Sequence, residues 1–336
     1  ERVATMKFTI PREVLLKPLQ LVTGVVERRQ TLPVLANLLI KADDSGLSLT
    51  GTDLEVEMVA HCNVEVQEAG EVTIPARKLA DIWRSLPDGA EVSLSVEGER
   101  VTIRSGRSRF TLATLPASDF PKVEGGDADI LVPLEPTALA GLIDQVSFAM
   151  AQQDVRYYLN GLFLNISQEE IFGVATDGHR LAKAGTVFQT GISLPSANAI
   201  IPRKGIIEID KQLVDKENIK AVLSKNHLQI TSDDSQAISK LIDGKFPDYN
   251  RVIPSDTDKK VIVDCKSFKE ALIRVSILSN DRFRGVRLNF LENEIGVSAN
   301  NPEKEEASDD IKATYSGDPL ELGFNVNYLI DVLNVI

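Results

Sequence analysis

The sequence is poor in the residues that most often carry catalysis or bind metals. Its 336 residues include two cysteines and three histidines. Cys62 and Cys265 lie far apart, which argues against a disulfide framework and is typical of a reducing cytoplasm. The sequence has no Cys/His metal spacing, phosphate-binding glycine loop or nucleophile elbow. We therefore expect no catalytic residue, no metal site and no cofactor.

Long apolar runs and excess positive charge are also missing. Without a run of about eighteen apolar residues or a signal peptide, we expect a cytoplasmic protein with no membrane span. The net charge of −12 alone argues against a nucleic-acid-binding protein. Net charge, however, does not determine the field at one face. Basic residues concentrate near predicted helices, so basic helical faces inside an acidic shell and ordinary solvated helices stay equal alternatives.

One long pattern occurs three times. A helix-like run followed by two strands begins at Arg12, near Pro136 and at Ser267. Equivalent positions such as Thr52 and Thr176 lie 124 residues apart. A repeat of this length is a whole domain used three times. The first two copies continue into a second helix and further strands, and the third reaches only its second helix, so the repeat predicts roughly thirty further residues.

The order of elements predicts an α+β fold, with antiparallel sheets and two helices in each domain and a third copy truncated at the C-terminus. We expect domains at residues 6–125, 126–254 and 255–336, and a remnant of cloning at residues 1–5.

Local patterns add detail to this fold. The alternation in residues 91–115 predicts a three-strand meander. Residues 117–130 and 253–259 are rich in turn formers and are expected linkers. Leu15, Leu16, Leu19 and Val22 form the apolar stripe of the first helix, in which Pro18 predicts a break or kink.

The turn TDGHRLA at residues 176–182 is the main candidate for chemistry. Asp177 and His179 could act as an acid/base pair, which makes a hydrolase-type enzyme one alternative. A triad needs a third partner that the sequence does not supply. Because Asp-Gly between apolar strands is commonly a turn, we favour a structural turn or a binding surface.

The segment QDVRYYLNG at residues 153–161 combines a basic residue with two adjacent tyrosines. If Tyr157 and Tyr158 are in a strand, they face opposite ways, and one ring is exposed beside Arg156. Such a ring could support a base or a nucleic-acid backbone. The alternative is that both rings cap a domain interface.

Two segments of opposite charge could meet between chains. Arg107 and Arg109 alternate with Phe110 and Leu112, and the stretch NPEKEEASDD at residues 301–310 is acidic. A basic strand in the first domain and an acidic one in the last fit a head-to-tail, ring-closing contact. Either stretch could instead be a solvated face.

Ten motifs follow one another along the chain: MKFTIPRE, LTGTDLE, PARK, SGRSRF, TLPASDFP, QDVRYYLNG, ATDGHRLA, PRKG, GKFPDY and FNVNYLIDVLNV. Together and in this order, they resemble the family of bacterial DNA polymerase III beta subunits, the replication sliding clamps. The resemblance implies a DNA clamp fold, a head-to-tail homodimeric ring with helices lining the hole, and a processivity factor that is not an enzyme. A scaffold that binds peptides but never DNA is the second alternative to this reading.

The resemblance also implies three sets of site residues. Those expected to contact double-stranded DNA, without sequence preference, are Arg29, Arg77, Gln153, Tyr157, Tyr158, Arg203 and Lys204. Gln152 replaces a histidine of other family members. The expected partner pocket comprises Leu159, Thr176, Gly178, His179, Arg180, Leu181, Pro247, Arg251 and Val252. The expected dimer interface comprises Lys78, Arg107, Arg109, Phe110, Leu112, Ile277, Leu278, Glu303, Glu306 and Asp309.

The partners implied by the resemblance are the DNA polymerase III alpha subunit, the clamp loader, other polymerases and repair proteins. They would dock by short linear motifs with apolar anchors. The resemblance thus implies that the turn at Asp177 and His179 is a wall of the peptide pocket and not a catalytic pair.

Overall fold

The computed structural model describes residues 5–29, 31–123, 130–187 and 194–336. Residues 1–4, the expected boundary between residues 125 and 126, and residues 124–129 of the expected linker lie outside the described residues. Thr5, which we assigned to the cloning remnant, begins the first strand and pairs with Glu97.

The helices and strands follow the expected threefold order. The first repeat comprises β1 (Thr5–Pro11), α1 (Arg12–Thr23), η1 (Pro33–Ala36), β2 (Asn37–Asp43), β3 (Gly46–Thr52), β4 (Val56–Cys62), β5 (Val66–Glu68), β6 (Gly70–Pro75), α2 (Ala76–Ser85), β7 (Glu91–Glu97), β8 (Arg100–Ser105), β9 (Ser108–Ala113) and η2 (Ala117–Asp119). The second comprises β10 (Ile130–Val132), α3 (Pro136–Val146), η3 (Ser147–Ala149), η4 (Tyr157–Leu159), β11 (Gly161–Ile166), β12 (Glu170–Thr176), β13 (Leu181–Val187), β14 (Ala197–Pro202), α4 (Arg203–Leu213), β15 (Lys220–Leu223), β16 (His227–Thr231), β17 (Ser235–Lys240) and η5 (Tyr249–Arg251). The third comprises β18 (Ile262–Val263), α5 (Cys265–Ser276), β19 (Gly285–Leu291), β20 (Glu294–Asn300), β21 (Glu306–Thr314), β22 (Leu320–Asn325) and α6 (Val326–Leu333).

All pairings between these strands are antiparallel, and the two α-helices of each repeat pack against each other and against the sheets. The α+β prediction is confirmed. The predicted meander is also confirmed, because β7 pairs with β8 and β8 with β9. Residues 253–259 form neither helix nor strand and are exposed, as expected for a linker.

One sheet joins the first two repeats. Strand β4 pairs with β17, with Ala60 opposite Ser235 and Val56 opposite Ser239, so that eight strands run continuously from β10 to β6. The main apolar core likewise extends through both repeats, whereas the third repeat has its own core around Leu272. The first two repeats therefore share both a sheet and a core.

Helix α1 passes through Pro18 without a break, so of the predicted break or kink the break is wrong. A proline lacks the N–H that would bond the carbonyl four residues earlier, here that of Val14. The Cys62 thiol lies 3.9 Å from this carbonyl and donates to it. Leu15 and Leu19 are buried on the same helix, and this burial stabilises the helical conformation around the proline.

Candidate functional site

The turn at residues 176–181 is built by its own side chains. Asp177 Oδ1 accepts hydrogen bonds from the backbone amides of His179 and Arg180, at 2.9 and 3.0 Å. Thr176 Oγ1 donates to the Arg180 carbonyl at 2.6 Å. Such local bonds are what favours aspartate and threonine in turns. The turn thereby fixes the direction in which β13 begins at Leu181.

The equivalent turn of the first repeat has the same bonds. Asp53 Oδ1 accepts from the amides of Glu55 and Val56, and Thr52 Oγ1 donates to the Val56 carbonyl. Leu54, the counterpart of Gly178, also has a positive φ, at 77°. The Asp177 turn is therefore part of the repeated scaffold, and its aspartate has a structural role.

An acid/base pair is not formed in this turn. The Asp177 carboxylate receives two backbone amides and the Arg180 Nε, the last at 3.2 Å from Oδ2. The His179 ring stacks on Tyr328 instead, with a centroid distance of 6.4 Å and an interplanar angle of 22°. General-base catalysis would need the histidine and its orienting carboxylate within hydrogen-bond reach of each other. The hydrolase alternative therefore loses the geometry on which it depended.

Gly178 lies directly under a guanidinium group. Its φ is +88°, and a Cβ atom placed there would be 2.9 Å from Arg156 Nη1 and Nη2. Arg156 donates to both carboxylate oxygens of Asp154, at 3.0 and 2.8 Å, and to the Asp177 carbonyl at 3.2 Å. These bonds from Arg156 lower the pKa of Asp154 to about 2. Glycine is thus required here both by the left-handed backbone and by the space that Arg156 occupies.

Arg180 links the second repeat to the third. Its Nη1 lies 2.5 Å from Asp331 Oδ2 on α6, and its Nη2 donates to the Phe148 carbonyl at 2.9 Å. The guanidinium also lies over the Tyr328 ring, 4.6 Å from the centroid. The Arg180 Nε also donates to Asp177. Each of the three guanidinium nitrogens therefore has a hydrogen-bond partner within the chain. Arg180 fixes the position of α6 beside the turn.

These elements surround a cavity of about 740 Å³. Eight of the nine residues predicted for a partner pocket line it: Leu159, Thr176, Gly178, His179, Arg180, Leu181, Pro247 and Val252. Arg251 does not line it. Its side chain is 84% exposed, and its Nε lies 3.0 Å from Asp248 Oδ2. The η5 turn directs this side chain outwards, so the prediction that Arg251 belongs to the partner pocket stays a prediction.

The cavity also has lining residues that we did not assign to it: Arg156, Tyr158, Lys183, Asp248, Tyr249, Ile253 and Pro254. The sequence pattern could have indicated that two of these residues, Lys183 and Tyr158, line the cavity. Lys183 follows Leu181 by two positions in a strand and so shares its face. Tyr158 directly precedes Leu159, a predicted pocket residue, but we assigned Tyr158 to DNA contact.

A cluster of aromatic rings lies beside the cavity. Phe163 stacks on Phe246 with a centroid distance of 4.8 Å and an interplanar angle of 13°. Tyr249 lies tilted against Phe163 and edge to face with Phe172, each with a centroid distance of 6.2 Å. Together with Ile200 these rings form a small apolar cluster of their own. They anchor the segment that begins at Pro247 and forms the second wall.

Most residues predicted to contact DNA are accessible. Arg29, Arg77 and Gln153 are exposed, and Tyr157 is 56% exposed. Arg203 is half-buried at the first turn of α4.

The premise for the tyrosine pair is wrong, because Tyr157 and Tyr158 belong to the 3-10 helix η4 and not to a strand. Their rings meet edge to face, 5.7 Å apart. Tyr157 points outwards, whereas Tyr158 is half-buried and lines the cavity.

Lys204 is engaged within the chain. Its ammonium donates to Asp53 Oδ2 and Glu27 Oε1, each at 2.5 Å, and to the Val25 carbonyl at 2.8 Å. Burial of Lys204 lowers its pKa, but the hydrogen bonds to the two carboxylates outweigh burial, and the pKa is raised overall. Its three N–H donors are therefore all used between the first two repeats.

Other helical cations are also paired. Lys17 lies 3.2 Å from Asp215, Lys211 lies 2.8 Å from Glu208, and Arg274 lies 2.6 Å from Asp309. The exposed Arg28, Arg29, Arg77 and Lys78 concentrate instead in the loop after α1 and at the start of α2. The basic residues exposed at the surface therefore occupy a smaller region than the composition of the helices suggests.

The predicted interface residues lie in two separate parts of the chain, residues 78–112 in the first repeat and 277–309 in the third. β9 is the last strand of its sheet and carries exposed Arg109 with half-buried Phe110 and Leu112. At the other end, Ile277 is 75% exposed just after α5. The remaining members are Lys78, Arg107, Glu303 and Glu306, which are exposed, and Leu278 and Asp309, which are intermediate.

Family models cover nearly the whole chain. The N-terminal, central and C-terminal domains of the DNA polymerase III beta subunit match residues 6–124, 133–248 and 250–336. The chain belongs to the DNA polymerase III beta subunit family. It is a DNA sliding clamp, a processivity factor that is not itself catalytic.

Relatives of this family resemble the chain along its length. The beta sliding clamp of Pseudomonas putida is 51% identical and that of Escherichia coli K12 is 50% identical, each over 98% of this chain and 90% of the relative. The DnaN sliding clamp of Pseudomonas aeruginosa bound to griselimycin superposes with a TM-score of 0.93 at 50% identity, covering 98% of this chain and 90% of that one. The clamp of Bartonella birtlesii bound to griselimycin gives 0.93 at 39% identity, covering 99% and 90%.

Two further properties concern the part of the chain that the structure describes. No helix there is long and apolar enough to cross a membrane. Within the same residues, no three His, Cys, Asp or Glu side chains come together as metal ligands.

Proposed function

We propose that two copies of this chain, each with domains at residues 6–125, 126–254 and 255–336, close head to tail into a cytoplasmic ring around duplex DNA. We propose further that the cavity beside Gly178, called the peptide pocket below, receives short segments of partner proteins. The sliding-clamp assignment is the basis of both statements. The observation that carries the ring is the strand pairing between the first two repeats.

The β4–β17 pair provides a template for the contact between protomers. β4 is the outermost of the four strands that the first repeat contributes to this sheet, and β17 is the outermost strand of the hairpin series in the second. By the repeat, β21 is the counterpart of β4 and β9 the counterpart of β17. Neither β9 nor the segment 306–312 of β21 has a strand on its outer edge among the described residues. Such an edge is ready to pair with another chain.

The template also supplies a register. In the chain, Ile238 lies opposite Glu57. Pairing within the hairpins makes Thr111 equivalent to Ile238 and Glu306 equivalent to Glu57. Thr111 of one protomer would therefore lie opposite Glu306 of the other.

The charges on the two edges support this register. In it, Arg107 lies opposite Asp310, and Arg109 lies diagonal to both Asp310 and Glu306. Opposite charges at such cross-strand positions are favourable. Asp309, in contrast, is already bound by Arg274 of its own chain. We therefore propose Asp310 as the carboxylate that meets the basic strand.

DNA would be held by few and mobile contacts. Arg29, Arg77, Gln153, Tyr157 and Arg203 are the accessible members of the predicted set. Arginine contacts to phosphate carry no sequence information, and their number sets the affinity and its salt dependence. A ring that encloses the duplex needs little affinity, so a small set is sufficient.

The peptide pocket would recruit the DNA polymerase III alpha subunit, the clamp loader, other polymerases and repair proteins. Its volume and its largely apolar lining suit a short peptide with apolar anchors. Griselimycin is bound to two relatives that resemble this chain over nearly its full length, and we propose that it also binds here. Protection of residues 156–159 and 176–183 from hydrogen exchange by griselimycin would support this placement, and protection elsewhere alone would oppose it.

Covalent trapping tests the ring. We expect the double variant Thr111→Cys/Glu306→Cys to form a dimer with both interfaces linked when treated with a short bismaleimide. The variant Thr111→Cys/Asp310→Cys is the matched control, because its second cysteine lies four residues away, about 13 Å along the strand. Equal linking of both variants would contradict the register, and linking of neither would contradict the head-to-tail ring.

A further inference from the structure

The cations that line the peptide pocket differ in what they are free to bind. Arg156 lies 2.8 Å from Asp154, and Arg180 lies within 3.2 Å of both Asp177 and Asp331. Both guanidinium groups are therefore already matched with carboxylates of the same chain. They shape the wall but do not require an acidic partner.

Lys183 is different. It lines the same cavity from β13 and is exposed. Among the described residues, no carboxylate forms an ion pair with its Nζ. Asp248, the acidic residue of the lining, pairs with Arg251 instead. Lys183 is thus a charge in the cavity that the described residues do not neutralise.

The Lys183 ammonium is nevertheless positioned. It lies over the Phe172 ring, 4.6 Å from the centroid, and 5.6 Å from that of Tyr249. Such contacts attract an exposed ammonium to the faces of the rings. Phe172 and Tyr249, of the aromatic cluster beside the pocket, therefore also fix where the positive charge is presented.

We propose that Lys183 is a specificity-determining residue of the peptide pocket, which selects partner segments carrying an aspartate or glutamate next to their apolar anchors. The inference rests on the proposed peptide-binding function. An acidic group that enters a largely apolar cavity must be paired, or its desolvation opposes binding. Lys183 supplies that pair at the wall, and charge complementarity of this kind determines which partner is accepted.

Peptide selection tests the inference without assuming a sequence. A random heptapeptide phage library is panned against the full chain and against Lys183→Gln, which keeps much of the side-chain stem but not the charge. Griselimycin elutes the pocket-bound phage. We expect acidic residues to be enriched at one distance from the apolar anchors on the unmodified chain. On Lys183→Gln the apolar anchors should persist and the acidic enrichment should be lost.

Affinities then measure the pairing. A selected peptide and its Asp→Asn analogue are titrated against both proteins. We expect the acidic peptide to bind about threefold more tightly than the analogue to the unmodified chain, as for an exposed ion pair, and equally to Lys183→Gln. The preference should shrink at higher ionic strength. Lys183→Glu should invert it, and Lys245→Gln, a change of an exposed lysine outside the cavity, should leave it intact.

The outcomes separate this inference from the function on which it rests. An acidic preference that persists unchanged in Lys183→Gln would overturn the role of Lys183 and leave the pocket standing. Apolar peptides without any acidic preference on the unmodified chain would do the same. If griselimycin elutes no peptide at all, the peptide pocket itself fails, and the role of Lys183 with it.

Discussion

The Lys204 ammonium lies 2.5 Å from Asp53 Oδ2, across the contact between the first and second repeats. Asp177, the counterpart of Asp53, is met by Arg180, which also reaches Asp331 of the third repeat. In both contacts between repeats, an aspartate of the repeated turn binds a cation supplied by the second repeat. The third turn has Asn301 at this position, so the proposed contact between protomers lacks the carboxylate found in the other two.

Removing the Lys204 charge should loosen the first of these contacts. In Lys204→Met, the nearly buried Asp53 carboxylate would lose its cation while keeping its burial. We expect a loss of about 2 kcal/mol in unfolding free energy, below the cost for a fully buried pair because Lys204 is partly exposed. Differential scanning calorimetry and hydrogen exchange at β4 and β17 measure the effect.

Lys245→Met is the matched control for this experiment, since Lys245 is exposed. It should change the free energy of unfolding by less than about 0.5 kcal/mol. If Lys204→Met has an equally small effect on stability and on exchange at β17, the ion pair does not hold the repeats together. A large loss of DNA affinity without loss of stability would instead restore Lys204 as a phosphate contact.

Gly178→Ala should damage the peptide pocket. The substitution forces a side chain into a left-handed backbone with φ of +88° and places Cβ against the Arg156 guanidinium. We expect a loss of about 1–2 kcal/mol in stability and weaker binding of griselimycin by isothermal titration calorimetry. Gly141→Ala is the control, because Gly141 lies in α3 and, apart from that helix's own backbone, no heavy atom of the described residues lies within 4 Å of the added Cβ. It should stabilise by up to about 1 kcal/mol, and equal effects of the two changes would refute the argument.

Charge reversal at β9 should weaken the proposed ring. Arg107→Glu/Arg109→Glu would place like charges opposite Asp310 and Glu306, so the monomer fraction should rise in sedimentation equilibrium. We expect the dimer dissociation constant to increase by about tenfold or more, with the largest effect at low salt. Reversal of Lys225 and Lys245, exposed lysines outside the predicted interface, should leave it unchanged. An unaltered monomer fraction in the β9 variant would remove both arginines from the interface.

The two thiols should react differently. Burial of Cys62, with a smaller effect from Asp234, raises its thiol pKa from 9.0 to about 11. Because the thiolate is the nucleophile, iodoacetamide at pH 8 should modify the half-buried Cys265 well before Cys62, and denaturant should abolish the difference. Intact-mass spectrometry counts the adducts, and equal native rates would contradict the burial of Cys62.

The same shift has a pH consequence. Above the unfolded pKa, the unfolded chain loses the Cys62 proton while the folded chain keeps it. The stability that Cys62 contributes is therefore complete below pH 9 and is lost as the pH rises to about 11. Cys62→Ser should flatten the stability curve in that window, and an unchanged slope would show that Cys62 does not contribute to it.

The sequence was sufficient to predict those elements whose contacts are formed by neighbours along the chain. The Thr-Asp turn, the meander at residues 91–115 and the helix starts at Arg12 and Pro136 all follow from patterns that neighbours along the chain satisfy. The helix at Ser267 begins two residues earlier than expected, because Asp264 accepts the Ser267 amide and caps it. Most of the peptide pocket followed from the family resemblance.

The failures arose from contacts that are distant in sequence. Pro18 is tolerated in α1 because the Cys62 thiol, on strand β4, donates to the Val14 carbonyl that the proline cannot bond. Lys204 is sequestered by carboxylates more than 150 residues away. Tyr158 turns into the cavity because η4 replaces the strand we assumed. No pattern within a short window of sequence contains these partners.

Retention on DNA of different topology tests the central claim most directly. The full chain is placed on a nicked circular plasmid by a clamp loader with ATP, freed of loader, and the DNA is then linearised by a restriction enzyme. We predict that gel filtration at high salt finds the protein on the circle but not on the linear DNA, because a ring is held by topology and slides off ends. Equal retention on circular and linear DNA, or release from both, would contradict the account.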